Sequence, residues 1–299
     1  MPDLSRPRRS VLYMPGSRAR ALDKARSLPA DALILDLEDA VALAEKAEAR
    51  RLVADALATG GYGKRELIVR INGFDTEWGE ADLEMVAVSS ADAVLVPKVE
   101  DPATVQHVAH RLDALGADAD LAIWAMMETP MGMLRAAEIA AAHPRLACFV
   151  LGTNDLVKDL QAEHTPNRLP VVTALGLCAL AARAHGLAIL DGVYNAIRDD
   201  KGLAESCAQG RAFGFDGKTL IHPSQIESTN RIFAPSEADL ELSKRYVAAF
   251  NEAEAAGRGV AVVDGKLVEN LHVENARRQL AQAELIAELE AAHHASPAA

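Results

Sequence analysis

Trp124-Ala-Met-Met-Glu128-Thr129-Pro130-Met-Gly132 is a short apolar run that stops at a carboxylate. The pattern returns in Cys148-Phe-Val-Leu151, which leads into Gly152-Thr-Asn-Asp155. Continuous apolar runs of this length, without in/out alternation, suit strands covered on both faces, as in a parallel sheet. Outward from here the same word recurs: hydrophobic strand, polar strand end, Ala-rich helical stretch. The strands read this way are Ser10–Met14, Ala32–Leu35, Leu67–Ile71, Ala93–Val96, Leu121–Met126, Cys148–Leu151, Leu187–Leu190 and Asp216–Leu220. Their starts lie roughly 20 to 40 residues apart, the length of a βα unit. Eight such units predict an α/β chain built as a (β/α)8 barrel of the TIM type over residues 1–233. A doubly wound open sheet competes, but no Gly-x-Gly-x-x-Gly follows the first strand.

Between strands, Asp75–Ser90 and Asp101–Leu115 read as amphipathic helices, the second with Pro102 in its first turn. Met131–Ala142 follows Thr129-Pro130 in the same fashion, and Thr165–Pro170 reads as a loop before a helix Val171–His185, closed by Gly186. The chain then runs too far past the eighth strand for a single closing helix. Ser236 with Asp239 three residues on marks a helix to Ala256. Asp264-Gly265 between two apolar runs marks a hairpin. A helix from Val273 to Ala292 follows, with His293-His294 in a frayed tail and Ser296–Ala299 loose. Residues 234–299 therefore read as a helix–hairpin–helix extension, either a lid or an arm reaching a neighbouring subunit.

Composition narrows the function. Of 299 residues half are hydrophobic and a quarter charged, an ordinary globular balance. No run approaches the roughly 18 apolar residues of a membrane span, and no apolar segment of signal-peptide length follows the basic N-terminus. A cytoplasmic protein is expected. The net charge of −12 argues against nucleic acid or an anionic membrane as partner, though not against a small anionic ligand. Cys148, Cys178 and Cys207 are too scattered for a disulfide framework and read as reduced, buried thiols. His107 and His110 lie three apart without a general-base Glu between them, a solvated helix face.

In a barrel the chemistry belongs at the C-terminal strand ends. There the sequence places Arg18, Arg20 and Lys24 after the first strand, then Asp36, Glu38 and Asp39, then Arg70 and Asn72, then Lys98. Glu128, Asp155, Asp191-Gly192 and Lys218 complete the ring. Two carboxylates on neighbouring strands can share a divalent cation, but each also reads as a cap for the next helix. Arg70 offers a fork for a substrate carboxylate or an oxyanion, and equally a partner for Asp36. Together these charges predict a metal-dependent enzyme acting on an anionic substrate. No Gly-x-Ser-x-Gly elbow is present.

The ordered set Arg9-Ser-Val-Leu-Tyr-Met-Pro-Gly16, Leu35-Asp-Leu-Glu-Asp-Ala-Val41, Val69-Arg-Ile-Asn72, Val96-Pro-Lys98, Met127-Glu-Thr-Pro130, Gly152-Thr-Asn-Asp-Leu156 and Gly217-Lys-Thr-Leu-Ile-His-Pro223 resembles the citrate lyase β-subunit / malyl-CoA lyase family. The resemblance implies Mg²⁺, a CoA thioester substrate and homo-oligomers (trimers or hexamers) in which one subunit's C-terminal segment closes a neighbour's site. It assigns the metal to Glu128 and Asp155 and the substrate, with a catalytic role, to Arg70. It places Tyr13, Arg20 and Lys24 at the CoA portion, Arg50 in a substrate-contacting stretch, and Asp191 and Gly192 at backbone contacts near the CoA arm. Asp36, Glu38 and Asp39 would orient waters around the metal. The family's hairpin ends in a catalytic Asp; here Glu269 stands there, one methylene longer, and a shift of about 1 Å can cost on the order of a hundredfold in rate. The implied reaction is Mg²⁺-dependent Claisen-type cleavage of (S)-malyl-CoA to acetyl-CoA and glyoxylate, with Glu269 as acid. The alternatives are hydrolysis of (3S)-malyl-CoA to malate and CoA, or a citrate lyase β-subunit working on a carrier-protein thioester. A non-catalytic binding protein fits least, because both metal carboxylates are present.

Overall fold

The eight apolar runs become strands β1 (Ser10–Pro15), β2 (Ala32–Asp36), β3 (Glu66–Arg70), β4 (Ala93–Val96), β5 (Ala122–Met127), β6 (Leu146–Leu151), β7 (Ala188–Asp191) and β8 (Gly217–Leu220). In the computed structural model, which describes residues 6–295, they pair in parallel in chain order, and β8 returns to β1 to close the barrel. Both faces of each strand are covered. Val11, Ile34, Ile68, Leu95, Trp124, Val150 and Leu190 fill the interior. Leu12, Leu33, Leu35, Val69, Val94, Phe149 and Ile189 face the surrounding helices. This is why the strands read as unbroken apolar runs.

The helices are α1 (Ala19–Ala25), α2 (Lys46–Thr59), α3 (Gly79–Ala87), α4 (Pro102–Ala114), α5 (Pro130–Leu134), α6 (Ala136–Ala140), α7 (Thr153–Asp159), α8 (Val172–Ala184), α9 (Asp200–Ala212) and α10 (Ile226–Phe233). Asp101 caps α4 through the Thr104 amide, as the Asp-Pro start implies. Two expectations need correcting. The helix expected over Met131–Ala142 is two short ones, because Arg135 leaves helical geometry (φ −104°, ψ 14°). The helix expected over Asp75–Ser90 starts at Gly79, because Thr76 turns back by hydrogen bonds from its amide and hydroxyl to the Gly73 carbonyl.

The extension holds α11 (Glu237–Ala255), the hairpin β9 (Ala261–Val263) and β10 (Lys266–Val268), and α12 (Asn270–Ala295). Ser236 and Asp239 form the reciprocal cap of α11. Asp264 (φ 51°) and Gly265 (φ 75°) supply the two left-handed residues that a tight hairpin turn needs. α12 begins three residues earlier than expected: the Glu269 carbonyl accepts from the amides of His272 and Val273, and the His272 ring accepts from the Glu269 amide. Phe250, Ala253, Ala261, Val263, Val268 and Val273 give this unit a small core of its own.

α12 runs across the N-terminal rim of the barrel, where Arg9 Nη1 meets Glu290 Oε1 at 2.9 Å, Lys64 pairs with Glu288 at 3.8 Å, and Arg65 Nη2 lies 2.7 Å from His293 Nδ1. His293 is thus held on the barrel and not in a frayed tail. The extension does not cover its own barrel mouth, which lies at the opposite end. The expectation for Ser296–Ala299 lies outside the described residues.

Candidate active site

Strand register builds the mouth. Pro15 pairs with Asp36 and Asp36 with Arg70, so the carboxylate and the guanidinium emerge side by side. Arg70 Nε and Nη2 donate to Asp36 Oδ1 and Oδ2 at 2.7 and 2.6 Å, a bidentate fork. Its Nη1 lies 2.7 Å from Glu38 Oε2 and 3.4 Å from Asp39 Oδ2, and its plane stacks 4.9 Å over the Tyr13 ring. The pairing of Arg70 with Asp36 is therefore real, and it aims the guanidinium instead of removing it from the mouth. Asp36 also accepts from the amides of Glu38 and Ala40, which shapes the loop after β2.

Glu128 follows β5 directly and is 2 % exposed. The cap of the next helix is Thr129, whose hydroxyl accepts from the Gly132 amide, so Glu128 is spared that duty. Its Oε1 accepts from the Lys98 amide at 2.9 Å, which holds Lys98 in a left-handed backbone (φ 49°) rare for a side-chain-bearing residue. On its other side Gly152 approaches so closely that any Cβ there would strike the Glu128 side chain. Asp155 lies in the first turn of α7, four residues past the end of β6; it too makes no cap bond, and the residue at the cap position is Gly152. A carboxylate in that turn is favoured by the helix dipole.

The electrostatics ask for a cation. Burial, with Glu38 and Asp155 nearby, pushes the Glu128 carboxyl up to about 7 despite the Lys98 amide. Burial, with Asp39 and Asp36, likewise pushes Glu38 up to about 7 against the pull of Arg70, and Glu38 Oε2 makes no hydrogen bond of good geometry. Burial opposes the Lys98 ammonium, but Glu38, Asp155, Glu128 and Asp39 outweigh it and raise its pKa. Among the described residues no three His, Cys, Asp or Glu side chains form a ready cage. Two hard carboxylates in an open pocket fit an ion such as Mg²⁺, which keeps most of its sphere for water or substrate oxygens. The mouth, about 300 Å³, is lined by Tyr13, Asp36, Arg70, Glu128 and Asp155 among others.

Of the remaining residues, one lies in the mouth and the others outside it. Arg20 and Lys24 are exposed on one face of α1, beside the end of β1, with no ion pair among the described residues. Tyr13 lies inside the mouth under Arg70, its hydroxyl 3.4 Å from Met126 Sδ, with burial raising its pKa. Arg50 is outside the mouth: its Nε donates to Asp82 Oδ1 at 2.6 Å. Asp82 in turn accepts from the amide and side chain of Asn72, whose Nδ2 also holds the Leu37 carbonyl, so Arg50 braces the loops from behind.

Asp191 is fully buried and shared between Arg168 Nη1 (2.6 and 2.8 Å) and Lys218 Nζ (2.9 Å). Burial alone would raise its pKa; Lys218 and Arg168 outweigh it and hold the carboxyl below the usual range. The Gly192 amide donates to Asp191 Oδ1. Sequence reasoning missed Arg168, in a loop with left-handed backbone (φ 55°). The available signal was a strand-end Asp on an apolar run, which demands a cation from elsewhere. Cys148, Cys178 and Cys207 are buried and free.

Residues 9–223 match the HpcH/HpaI aldolase/citrate lyase family. The chain is 60% identical over 281 residues to a (3S)-malyl-CoA thioesterase of Cereibacter sphaeroides (strain KD131), covering 94% of this chain and 96% of that one. It is 37% identical over 286 residues to the citrate lyase subunit beta of Escherichia coli K12, covering 94% and 95%. The structure of CitE from Mycobacterium tuberculosis in complex with magnesium, acetoacetate and coenzyme A superimposes with a TM-score of 0.77 at 31% identity, covering 94% of this chain and 100% of that one. Among the described residues no helix is long and apolar enough to cross a membrane.

Proposed function

Because the chain belongs to the HpcH/HpaI aldolase/citrate lyase family, we propose that it is a Mg²⁺-dependent enzyme of acyl-CoA thioesters that hydrolyses (3S)-malyl-CoA to malate and CoA. The observation that carries this is the buried, singly hydrogen-bonded Glu128 beside Asp155 and Arg70, in a chain 60% identical to an enzyme named for that reaction. Claisen-type cleavage to acetyl-CoA and glyoxylate uses the same pocket and is the second reading, favoured by the citrate lyase relatives.

Glu128 and Asp155 would hold the metal, which supplies Lewis-acid polarisation of substrate oxygens when bound. Arg70, fixed by Asp36 and Tyr13, presents its guanidinium to the substrate's free carboxylate or to the oxygen that gains charge. Arg20 and Lys24 serve the CoA phosphates. In hydrolysis a water oxygen bonds to the thioester carbonyl carbon, the C–S bond breaks and the sulfur leaves as the CoA thiol. The Glu269 carboxylate would take the water's proton and return it to the departing sulfur; in cleavage, the carbinol hydroxyl would lose its proton to solvent as the C–C bond breaks, and the acid form of Glu269 would protonate the enolate carbon.

Glu269 does not line the mouth of its own chain. We therefore assign it to a neighbour's site in a homo-oligomer, with residues 234–299 as the arm that delivers it. Asp191 and Gly192 would touch the CoA arm through backbone only, since the Asp191 carboxylate is already engaged. We propose a cytoplasmic enzyme, the location expected for one that draws on a CoA thioester pool.

Purified protein with malyl-CoA and Mg²⁺, with and without EDTA, tests the reading by product analysis. EDTA-sensitive malate plus free CoA supports hydrolysis. Glyoxylate plus acetyl-CoA assigns the lyase, and no product from either route refutes both.

A further inference from the structure

The two carboxylates assigned to the metal are held in unequal ways. Glu128 is fixed by the Lys98 amide and by the close approach of Gly152. The Asp155 carboxylate has no hydrogen bond or ion pair among the described residues, so its place follows from the backbone that carries it. That backbone is α7, seven residues long, with Gly152 at its cap position and no side-chain cap bond. So short a helix without a cap holds its first turn poorly by itself.

Each of the three residues before Asp155 is tied to a different place. The Gly152 amide donates to the Met127 carbonyl, at the end of β5, at 3.0 Å. Thr153 is buried against the end of β7, where a Cβ on Gly192 would lie 2.6 Å from its hydroxyl. Asn154 reaches the loop after β7: Asn195 Nδ2 donates to Asn154 Oδ1 at 2.8 Å, and Asn154 Nδ2 donates to Asn195 Oδ1 at 3.3 Å.

Asn195 is itself held on both sides. Gln225 Nε2, in the turn after β8, donates to the Tyr194 carbonyl at 2.9 Å, and the Asp199 amide donates to the Ala196 carbonyl at 3.0 Å. Asp199 also caps α9 through the Gly202 amide and accepts from the Tyr194 hydroxyl at 2.5 Å. Asn154 and Asp155 line the mouth and Asn195 does not, so Asn195 acts on the mouth through Asn154. Both amides are exposed, and the pair therefore adds little to the stability of the fold.

We infer that Asn195 is a positioning residue for Mg²⁺: through its two-way bond with Asn154 it fixes the first turn of α7 and with it the direction of the Asp155 carboxylate. The inference rests on the reading of Asp155 as a metal ligand. An outer side chain that orients a ligand is worth about 10–100-fold in metal affinity.

Calorimetric titration of Mg²⁺ into the full chain, without substrate, reads the effect directly. Asn195→Ala should raise the Mg²⁺ Kd about tenfold, while the melting temperature of the metal-free protein stays within about 4 °C of the parent. Asn154→Ala should do the same. The double variant should bind no more weakly than either single one, because both substitutions break one contact. An unchanged Kd in Asn195→Ala overturns the inference, and so does a double variant whose losses multiply to about a hundredfold. A metal-free melting temperature lowered by more than about 4 °C also overturns it, since the pair would then be a tie of the fold itself. Asp155→Asn in the same titration isolates the reading of the mouth. Mg²⁺ binding there at the parent's strength refutes the metal assignment and this inference with it; loss of binding there, with Asn195→Ala unchanged, refutes the positioning role alone.

Discussion

Asp191→Ala should be the most destabilising single substitution at the barrel mouth, and its magnitude follows from what it leaves behind. Lys218 is fully buried, and its ammonium donates to Asp191. Arg168 is 14 % exposed and gives Asp191 two hydrogen bonds. Removing the anion strands two cations in a low-dielectric site, a loss of about 3–5 kcal/mol. At about 2–4 °C per kcal/mol for a domain near this size, the melting temperature falls by roughly 10 °C. Asp191→Ala with Lys218→Met should recover part of that loss, because an apolar chain of similar length replaces the buried charge. The pH dependence follows with its sign. The folded pKa of Asp191 lies below its unfolded value. Its stabilisation is therefore full above the unfolded pKa, near 3.9, and is lost as pH falls through the folded pKa. Thermal and urea melts from pH 7 to pH 3 measure both effects. A melting temperature for Asp191→Ala within 2 °C of the parent, or no recovery in the double variant, would refute this account of the cluster.

Glu128→Gln and Asp155→Asn should each abolish Mg²⁺-dependent turnover and also the melting shift that Mg²⁺ produces in the parent, about 2.7 kcal/mol at a hundred times its Kd; a retained shift in either variant removes that residue from the metal site. Gly152→Ala should give the same phenotype, because its methyl group meets Glu128. Arg20→Ala with Lys24→Ala should raise KM for the thioester about tenfold at low salt with kcat little changed, since both side chains are exposed and each exposed charge contact is worth about 0.2–1 kcal/mol; an unchanged KM would move the CoA phosphates elsewhere. Glu269→Gln should lower kcat more than KM. Mixing it with Glu128→Gln protein should restore partial activity if sites are completed between chains, and no recovery would sink that arrangement.

The barrel was legible because parallel strands buried on both faces write themselves as unbroken apolar runs, and each of the eight lies within two residues of its expected place. The hairpin was legible for a local reason: Asp264-Gly265 encodes its own backbone. The split of α5 from α6 was not, since a single non-helical residue, Arg135, leaves no mark in hydrophobic spacing. At the mouth, residue types and strand ends identified Glu128, Arg70 and Asp36. The sequence left open whether Glu128 capped a helix, and only the hydrogen bond from the Gly132 amide to Thr129 decides it. Arg50 and Arg168 show the limit most directly. One lies behind the loops on Asp82, the other closes on Asp191 across 23 positions of chain. Neither destination is encoded locally.

The extension has a small core of its own and meets the barrel floor partly through side-chain ion pairs, with cavities of about 280 and 410 Å³ beside α12. Outside that core α12 buries Ala276, Ile286 and Leu289. In hydrogen-exchange language the extension should behave as a separate cooperative unit, with a lower opening free energy at its amides than at those of the barrel strands. Such a unit can leave its own floor and settle again without melting, on a timescale set by a few polar ties. Raising ionic strength weakens those ties first, so salt should quicken exchange in α11 and α12 while the barrel strands keep their protection.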